Sequence, residues 1–375
     1  MTVAAFMDLA LYDPQFGYYA RAPQRSGRAG DFFTSVDVGP LFGELLAVQL
    51  AEMFGLLEKG EGSHFPGAGT PENDARPLFL VEAGAGNGRL SADILRATRT
   101  RDRALYDRVR LHLTDASPEA RRAQPQTLGD LSDRLVSSSD TLPQSFEGIL
   151  IANELLDALP THQVVMRDEG LREIYVNAVD NRQSTVDRRL AAVEGPPSTP
   201  ALAAYLARAG ARLEPGWRGE ISLRTVEWLR DAARRLRRGF MILIDYGHEA
   251  RELYSVAHSG GTLTTFSGHT MAGPEMRTPG WLARPGEQDL TAHVDFTSVR
   301  AAAEEEGLVT LGFMDQTYFL LALVGDTAPS GLRQRLALKT LTMPGGLGST
   351  HKVLILGKNV GAPPLRGCSF RQRVT

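Results

Sequence analysis

The 375-residue chain predicts an α/β protein whose centre is a parallel, doubly wound sheet. Three observations carry this. Short apolar runs at 78–81, 109–113, 148–152 and 240–244 read as buried strands, and segments with helical spacing separate them. The first run passes straight into a glycine turn that opens a helix. With 42% hydrophobic residues the chain can bury a sizeable core, so one elaborated domain or two modest ones are both open.

Taken in order, residues 2–11 predict a short helix closed by Asp13-Pro14. Residues 38–57 predict a longer one, with Leu41, Phe42, Leu45, Leu46, Val48 and Leu50 near helical spacing. A polar, glycine-containing loop at 27–35 lies between them, and 58–77, dense in Gly, Pro and charge, reads as a mobile connection. Strand 78–81, turn 83–88 and helix 90–97 follow, then strand 109–113 and a helix with Ser117 as N-cap and Pro118 at its first position. After strand 148–152 the rhythm breaks. Runs 164–167 and 171–176 flank Asp168-Glu169-Gly170 as a hairpin, and Glu194-Gly195-Pro196-Pro197 is a linker before another helix. The core resumes with an amphipathic helix, 224–238, stopped by Gly239, and strand 240–244. Helix 298–306 and strands near 309–313 and 353–356 close the sheet. The expected division is therefore a cap and connection at 1–77, a core at 78–160 and 223–360, an insertion at 161–222, and a tail at 361–375.

Lys plus Arg number 41 against 44 Asp plus Glu, a formal charge of -3, without the basic excess that phosphate neutralisation demands. A nucleic-acid partner is not expected, and the arginines of 224–238 read as a solvated helix face. One cysteine, Cys368, excludes an internal disulfide framework and a cysteine-based zinc cluster, which suits a reducing, cytoplasmic compartment. The first residues read as no targeting segment, and no apolar run nears the roughly 20 residues of a membrane-spanning helix.

The chemistry concentrates in Glu82-Ala83-Gly84-Ala85-Gly86-Asn87-Gly88-Arg89. Glycines at Gly84, Gly86 and Gly88 let the backbone approach a ligand at the carboxyl end of a strand, which makes a nucleotide-type cradle. A dinucleotide fingerprint would place a third glycine where Arg89 stands, which disfavours NAD and FAD. Glu82 repels a pyrophosphate but suits the cationic amino group and sulfonium of S-adenosylmethionine, and Asp115, ending the next strand, can accept from both ribose hydroxyls. Asn153-Glu154-Leu155-Leu156-Asp157-Ala158-Leu159-Pro160 follows the strand beside the transferable methyl group. Methyl transfer from a sulfonium needs alignment and a less protonated nucleophile, and Glu154 and Asp157 are the carboxylates that could clamp a planar guanidinium. His293 is the histidine to test, either as a proton acceptor or as a structural partner of Asp295. His248, His258 and His269, near Glu249, follow no ligand spacing, so no metal is expected. Tyr18, Tyr19, Phe32 and Phe33 either roof the ligand or pack.

The ordered series Gly30-Asp31-Phe32-Phe33-Thr34-Ser35, Leu41-Phe42-Gly43-Glu44, the 82–90 turn, Asn153 to Pro160, Ile244-Asp245-Tyr246-Gly247 and Pro285 to Phe296 resembles the MidA family of class I methyltransferases over almost the whole chain. The resemblance implies a Rossmann-like, seven-stranded methyltransferase core with an N-terminal helical cap and an inserted α+β subdomain. It implies S-adenosyl-L-methionine as cofactor and a protein-arginine acceptor, which for mitochondrial members is a respiratory complex I subunit. It maps the family's glycine turn onto Gly84, Gly86 and Gly88, its acid onto Asp115, its N-E-x-x-D block onto Asn153, Glu154 and Asp157, and its cap loop onto Thr34 and Ser35. Where the family has Pro-Glu after that loop this chain has Val36-Asp37, and where it has Phe before Lys-Val-Leu this chain has His351. A small-molecule methyltransferase with the same cofactor site, and a non-catalytic assembly factor, stand as alternatives.

Overall fold

The computed structural model describes residues 1–21, 34–59, 77–180, 188–267, 270–272, 279–324, 331–344 and 346–370. In chain order its strands are β1 (Leu78–Ala83), β2 (Val109–Thr114), β3 (Leu135–Ser139), β4 (Phe146–Asn153), β5 (His162–Arg167), β6 (Gly170–Asp180), β7 (Arg188–Gly195), β8 (Arg218–Ile221), β9 (Leu236–His248), β10 (Thr264–Ser267), β11 (Thr270–Ala272), β12 (Asp289–Thr291), β13 (Val294–Asp295), β14 (Val309–Asp315) and β15 (His351–Lys358). The chain divides into two compact units, Thr34–Glu154 with Arg230–Asp245 and Ala303–Thr375, and Met1–Phe33 with Leu155–Leu229 and Tyr246–Ala302.

The unit containing Thr34–Glu154 holds a sheet in the order β14-β15-β9-β4-β1-β2-β3. Its neighbours β1/β2, β1/β4, β2/β3 and β4/β9 are parallel, and β14/β15 is antiparallel. The central strands are covered on both faces, which is why Phe240 to Ile244 form an unbroken apolar run of fully buried side chains. The helix Leu41–Lys59 sends Phe42, Leu46, Leu50, Met53 and Phe54 into the same cluster as Leu80, Ile149, Ile151 and Ile242. Each such side chain contributes about 1.5–3 kcal/mol through burial. That helix runs on to Lys59, and the rest of the connection, 60–76, lies outside the described residues. Ser117 caps the helix Pro118–Leu128 as expected, accepting the Ala120 N–H at 3.3 Å.

One boundary differs from the sequence reading. The amphipathic helix spans Leu223–Arg235, and β9 begins at Leu236, so Gly239 is a strand residue rather than a helix stop. Leu236 is fully buried and pairs with Phe146, which wins it for the strand despite its helical spacing. Gly239 (φ +143°) lies opposite Gly148, and a Cβ on it would sit 1.8 Å from the Gly148 carbonyl oxygen; here glycine permits close approach of two strands. The arginines at this helix's end are occupied by carboxylates: Arg230 by Glu305 at 2.6 Å, Arg234 by Glu306 at 2.5 Å and Arg235 by Asp231 at 2.8 Å. Cys368, read as a tail residue, instead packs beside the apolar cluster in the turn Arg366–Cys368, where Gly367 N–H donates to Gln49 Oε1 at 2.8 Å. Burial pushes its thiol up to about 12, so it is an inert thiol.

The other unit holds a four-stranded antiparallel sheet, β7-β6-β5-β8, and a three-stranded one, β11-β10-β12. The hairpin expected at Asp168-Glu169 joins β5 to β6, with Arg167 opposite Gly170. Thr2 caps the helix Val3–Tyr12 by accepting the Ala5 N–H at 3.1 Å, and that helix buries Phe6, Met7 and Leu11 against Val165, Ile174, Trp281 and Leu290. Among the described residues no helix is long and apolar enough to cross a membrane.

Candidate active site

The glycine turn leaves β1 and enters the helix Arg89–Arg101. Gly84, Gly86 and Gly88 all have positive φ, at +68°, +51° and +84°, which explains why glycine recurs at every second position. A Cβ on Gly86 would meet nothing among the described residues within 4 Å, so the turn borders open space there. The loop is held from below by backbone pairing of Ala85 N–H with the Thr114 carbonyl at 2.9 Å, and by Gln124 Nε2 donating to the Gly86 carbonyl at 2.9 Å. Gln124, fully buried, is a positioning residue the sequence reading missed; its spacing from Asp115 on the following helix was the available signal.

Asp115 is the hub of this loop pair. Its Oδ2 accepts Gly86 N–H and its Oδ1 accepts Ser117 N–H, both at 2.8 Å. A carboxylate has about four acceptor positions, so two hydroxyl groups can still be received alongside these amides. Glu82 is only 4% exposed and accepts the Ser91 hydroxyl, and burial pushes its carboxyl up to about 7. The expected anion thus carries a proton for part of its time near neutrality.

At the end of β4, Asn153 Nδ2 donates to Glu154 Oε1 at 3.2 Å, while Asn153 Oδ1 is buried with no hydrogen-bond partner among the described residues. Buried acceptors without a partner are few in folded chains. Glu154 has φ +51°, a left-handed conformation that costs a non-glycine residue about 1–2 kcal/mol. It is held there by its own N–H donating to the Ile244 carbonyl at 2.8 Å, and its Oε1 also accepts Ser35 N–H at 3.2 Å. Left-handed strain of this kind clusters at functional sites. Ser35 Oγ donates to buried Gln316 at 3.1 Å, and Nε2 of fully buried His351 lies 3.6 Å from Glu154 Oε1. Gln316 and His351 were not anticipated as neighbours of Glu154; the departure at His351 was the only hint. Thr34 is engaged locally, sharing a reciprocal cap with Asp37, whose other oxygen meets Arg89. The loop residues Gly30 to Phe33 lie outside the described residues.

Asp157 and His293 belong to the other unit and line one of its cavities with Glu220, Ser222, Thr225 and Asp295. Asp157 is 9% exposed, and its carbonyl accepts Ala292 N–H at 3.0 Å. The expected His293–Asp295 pair is not formed. Asp295 instead caps the helix Phe296–Glu305, accepting Ser298 Oγ at 2.7 Å and Thr297 N–H at 2.9 Å. Burial and two neighbouring histidines push His293 down to about 3, too weak a base for proton transfer near neutrality. Tyr18 is a core residue, and Tyr19 donates to Asp289 at 3.1 Å and packs on Tyr12; both pack within their unit, while Phe32 is outside the described residues.

Comparison with known proteins agrees with the glycine-turn sheet. Residues 45–314 match the family described as "Putative S-adenosyl-L-methionine-dependent methyltransferase". The chain is 28% identical to the Drosophila melanogaster protein named protein arginine methyltransferase NDUFAF7 homolog, mitochondrial, over 97% of this chain and 83% of the relative. It is 28% identical to the Mus musculus protein arginine methyltransferase NDUFAF7, mitochondrial, over 85% of this chain and 70% of that protein. A crystal structure of a Burkholderia thailandensis protein bound to S-adenosyl-homocysteine superposes with a TM-score of 0.83 at 27% identity, over 99% of this chain and 90% of that one. The fold is thus that of the class I methyltransferases, and the chain belongs to this MidA-like family of S-adenosyl-L-methionine-dependent methyltransferases.

Proposed function

We propose that this methyltransferase modifies arginine side chains of a partner protein, with the cofactor in the cradle of Gly84, Gly86 and Gly88. The observation that carries the reading is the convergence at the strand ends of open space at Gly86, the Asp115 hub and the orphan oxygen of Asn153. In this reading Asp115 receives the ribose hydroxyls, Asn153 Oδ1 accepts from the cofactor, Glu82 faces its amino group, and Thr34 shapes the wall through its cap with Asp37. Bound there, S-adenosylmethionine supplies a methyl group activated by the adjoining sulfonium.

Glu154 is the proposed catalytic residue. Its Oε1 is committed to Ser35 and Asn153, and Oε2 is free, among the described residues, to accept from a guanidinium N–H. Such a contact orients the planar group and draws its proton toward the carboxylate. The relatives' names support arginine as the acceptor, and Asp157 is the second carboxylate to test. A respiratory-complex subunit is the acceptor the family resemblance suggests. The relatives are named mitochondrial, whereas a single cysteine, Cys368, is a feature that suits a reducing, cytoplasmic compartment.

Calorimetric titration with S-adenosyl-homocysteine should give one site in the wild type and a loss of more than about 100-fold for Gly86→Val, whose side chain enters the open space. Equal affinities refute the cradle. Labelled methyl should appear as methylarginine in protein after incubation with extract; label in metabolites instead refutes the protein acceptor, and binding without any product refutes turnover.

A further inference from the structure

The unit of Leu155–Leu229 and Tyr246–Ala302 brings three histidines together that the sequence holds apart. His248 ends β9, His258 ends the turn Val256–His258, and His293 lies between β12 and β13. One ring nitrogen from each lies within 4.8 Å of the other two, and the ring centroids are 4.8, 5.3 and 5.8 Å apart. His269, the third member the sequence suggested, is outside the described residues, and His293 takes its place. We propose that His248, His258 and His293 form a binding site for a divalent transition-metal ion of the zinc class.

Several features of the cluster fit an ion. Three imidazoles in contact supply the nitrogen set that zinc, cobalt and nickel prefer. His258 Nδ1 lies 3.0 Å from the Glu252 carbonyl, an acceptor only, so Nδ1 carries the proton and Nε2 keeps its lone pair. Glu252 also brings its carboxylate to 3.1 Å from His248 Nδ1. His293 Nδ1 is buried with no hydrogen-bond partner among the described residues, a lone pair or proton left for something other than the protein itself.

The backbone beneath each ring is anchored. His248 lies opposite Asp295 in the β9/β13 pair, and the Ser259 carbonyl accepts Arg218 N–H at 2.9 Å. His293 N–H donates to Thr262 Oγ1 at 3.1 Å, and that hydroxyl donates to buried Glu220 at 3.0 Å. Zinc–nitrogen bonds of about 2.0–2.1 Å in a tetrahedron place ligand nitrogens roughly 3.3–3.4 Å apart, so small ring rotations close the site. All three residues are partly exposed, and the fourth position is left to water or a further oxygen ligand.

The test uses tag-free, chelator-stripped full-length protein. Cobalt(II) titration should give one equivalent with the intense visible bands of a tetrahedral site, displaced by zinc(II). His258→Gln and His293→Gln should each weaken zinc binding by more than about 100-fold, while S-adenosyl-homocysteine binding stays at the wild-type level. In the wild type alone, zinc should protect His248, His258 and His293 together from diethyl pyrocarbonate, read by mass spectrometry. Less than one equivalent of cobalt, wild-type zinc affinity in both variants, or modification of the three histidines indifferent to zinc would each overturn the proposal.

Discussion

Replacing Glu82 with Gln should remove a pH dependence of stability that burial alone creates. Glu82 is 4% exposed on β1, and its carboxyl is raised from 4.5 to about 7, chiefly by desolvation. The Ser91 hydroxyl opposes that rise, and the charge on Asp115 adds to it. Between those two pH values the folded chain holds a proton that the unfolded chain has released. Stability from this group is therefore full below about pH 4.5, declines as pH rises, and levels off above about pH 7. At about 1.4 kcal/mol per pH unit the decline amounts to about 3 kcal/mol. Gln keeps an acceptor for Ser91 and never ionises. Urea unfolding of both proteins from pH 5 to 8.5 should show Glu82→Gln gaining on the wild type by up to about 3 kcal/mol as pH rises, with the other titrating groups cancelling in the difference. A difference that does not vary with pH would refute the desolvation of Glu82 in the fold. If the cofactor's ammonium faces this carboxyl, binding stabilises the anion and expels its proton. Wild-type affinity for S-adenosyl-homocysteine then rises between pH 6 and 8, and that of the variant does not.

Three further outcomes are expected. Asp115→Asn has one acceptor oxygen where two are needed for Gly86 and Ser117, so an amide N–H meets an NH₂ group at a cost of about 1–3 kcal/mol; cofactor affinity measured by calorimetry should fall about 10- to 100-fold, and an unchanged affinity would remove Asp115 from the site. Glu154→Gln should leave S-adenosyl-homocysteine affinity near wild type but slow methyl transfer about 10²- to 10⁴-fold, and full turnover in a radiolabel assay would exclude it as the catalytic carboxylate. Lys352→Met deprives buried Asp315 of an ammonium 2.6 Å away and should cost about 3–5 kcal/mol in urea unfolding, most of which Asp315→Leu in the same chain recovers.

Much of the sheet was legible because its signals are local. The run Leu78 to Val81, the glycine turn and the Ser117-Pro118 cap each declare themselves within a few residues, through burial on both faces, positive φ and an N-terminal donor to satisfy. The Arg235/Leu236 boundary was not legible, because the periodicity continues through it and only pairing with Phe146 makes Leu236 a strand residue. The closeness of His293 and Asp295 in sequence allows a pair, but the helix beginning at Phe296 has the stronger claim on that carboxylate through its first amides.

By itself the sequence determined the order of β1, β2, β4, β9, β14 and β15, the glycine cradle with Asp115 after the next strand, and the resemblance to a methyltransferase family. Tertiary structure decided the chemical state of the groups. Whether Glu82 is an anion, whether Glu154 sits in a left-handed strain, and whether three histidines 10 to 45 residues apart meet all depend on desolvation and on loop closure over long separations. Local patterns encode backbone propensity, whereas charge state and convergence are properties of the surroundings that only the packed chain supplies.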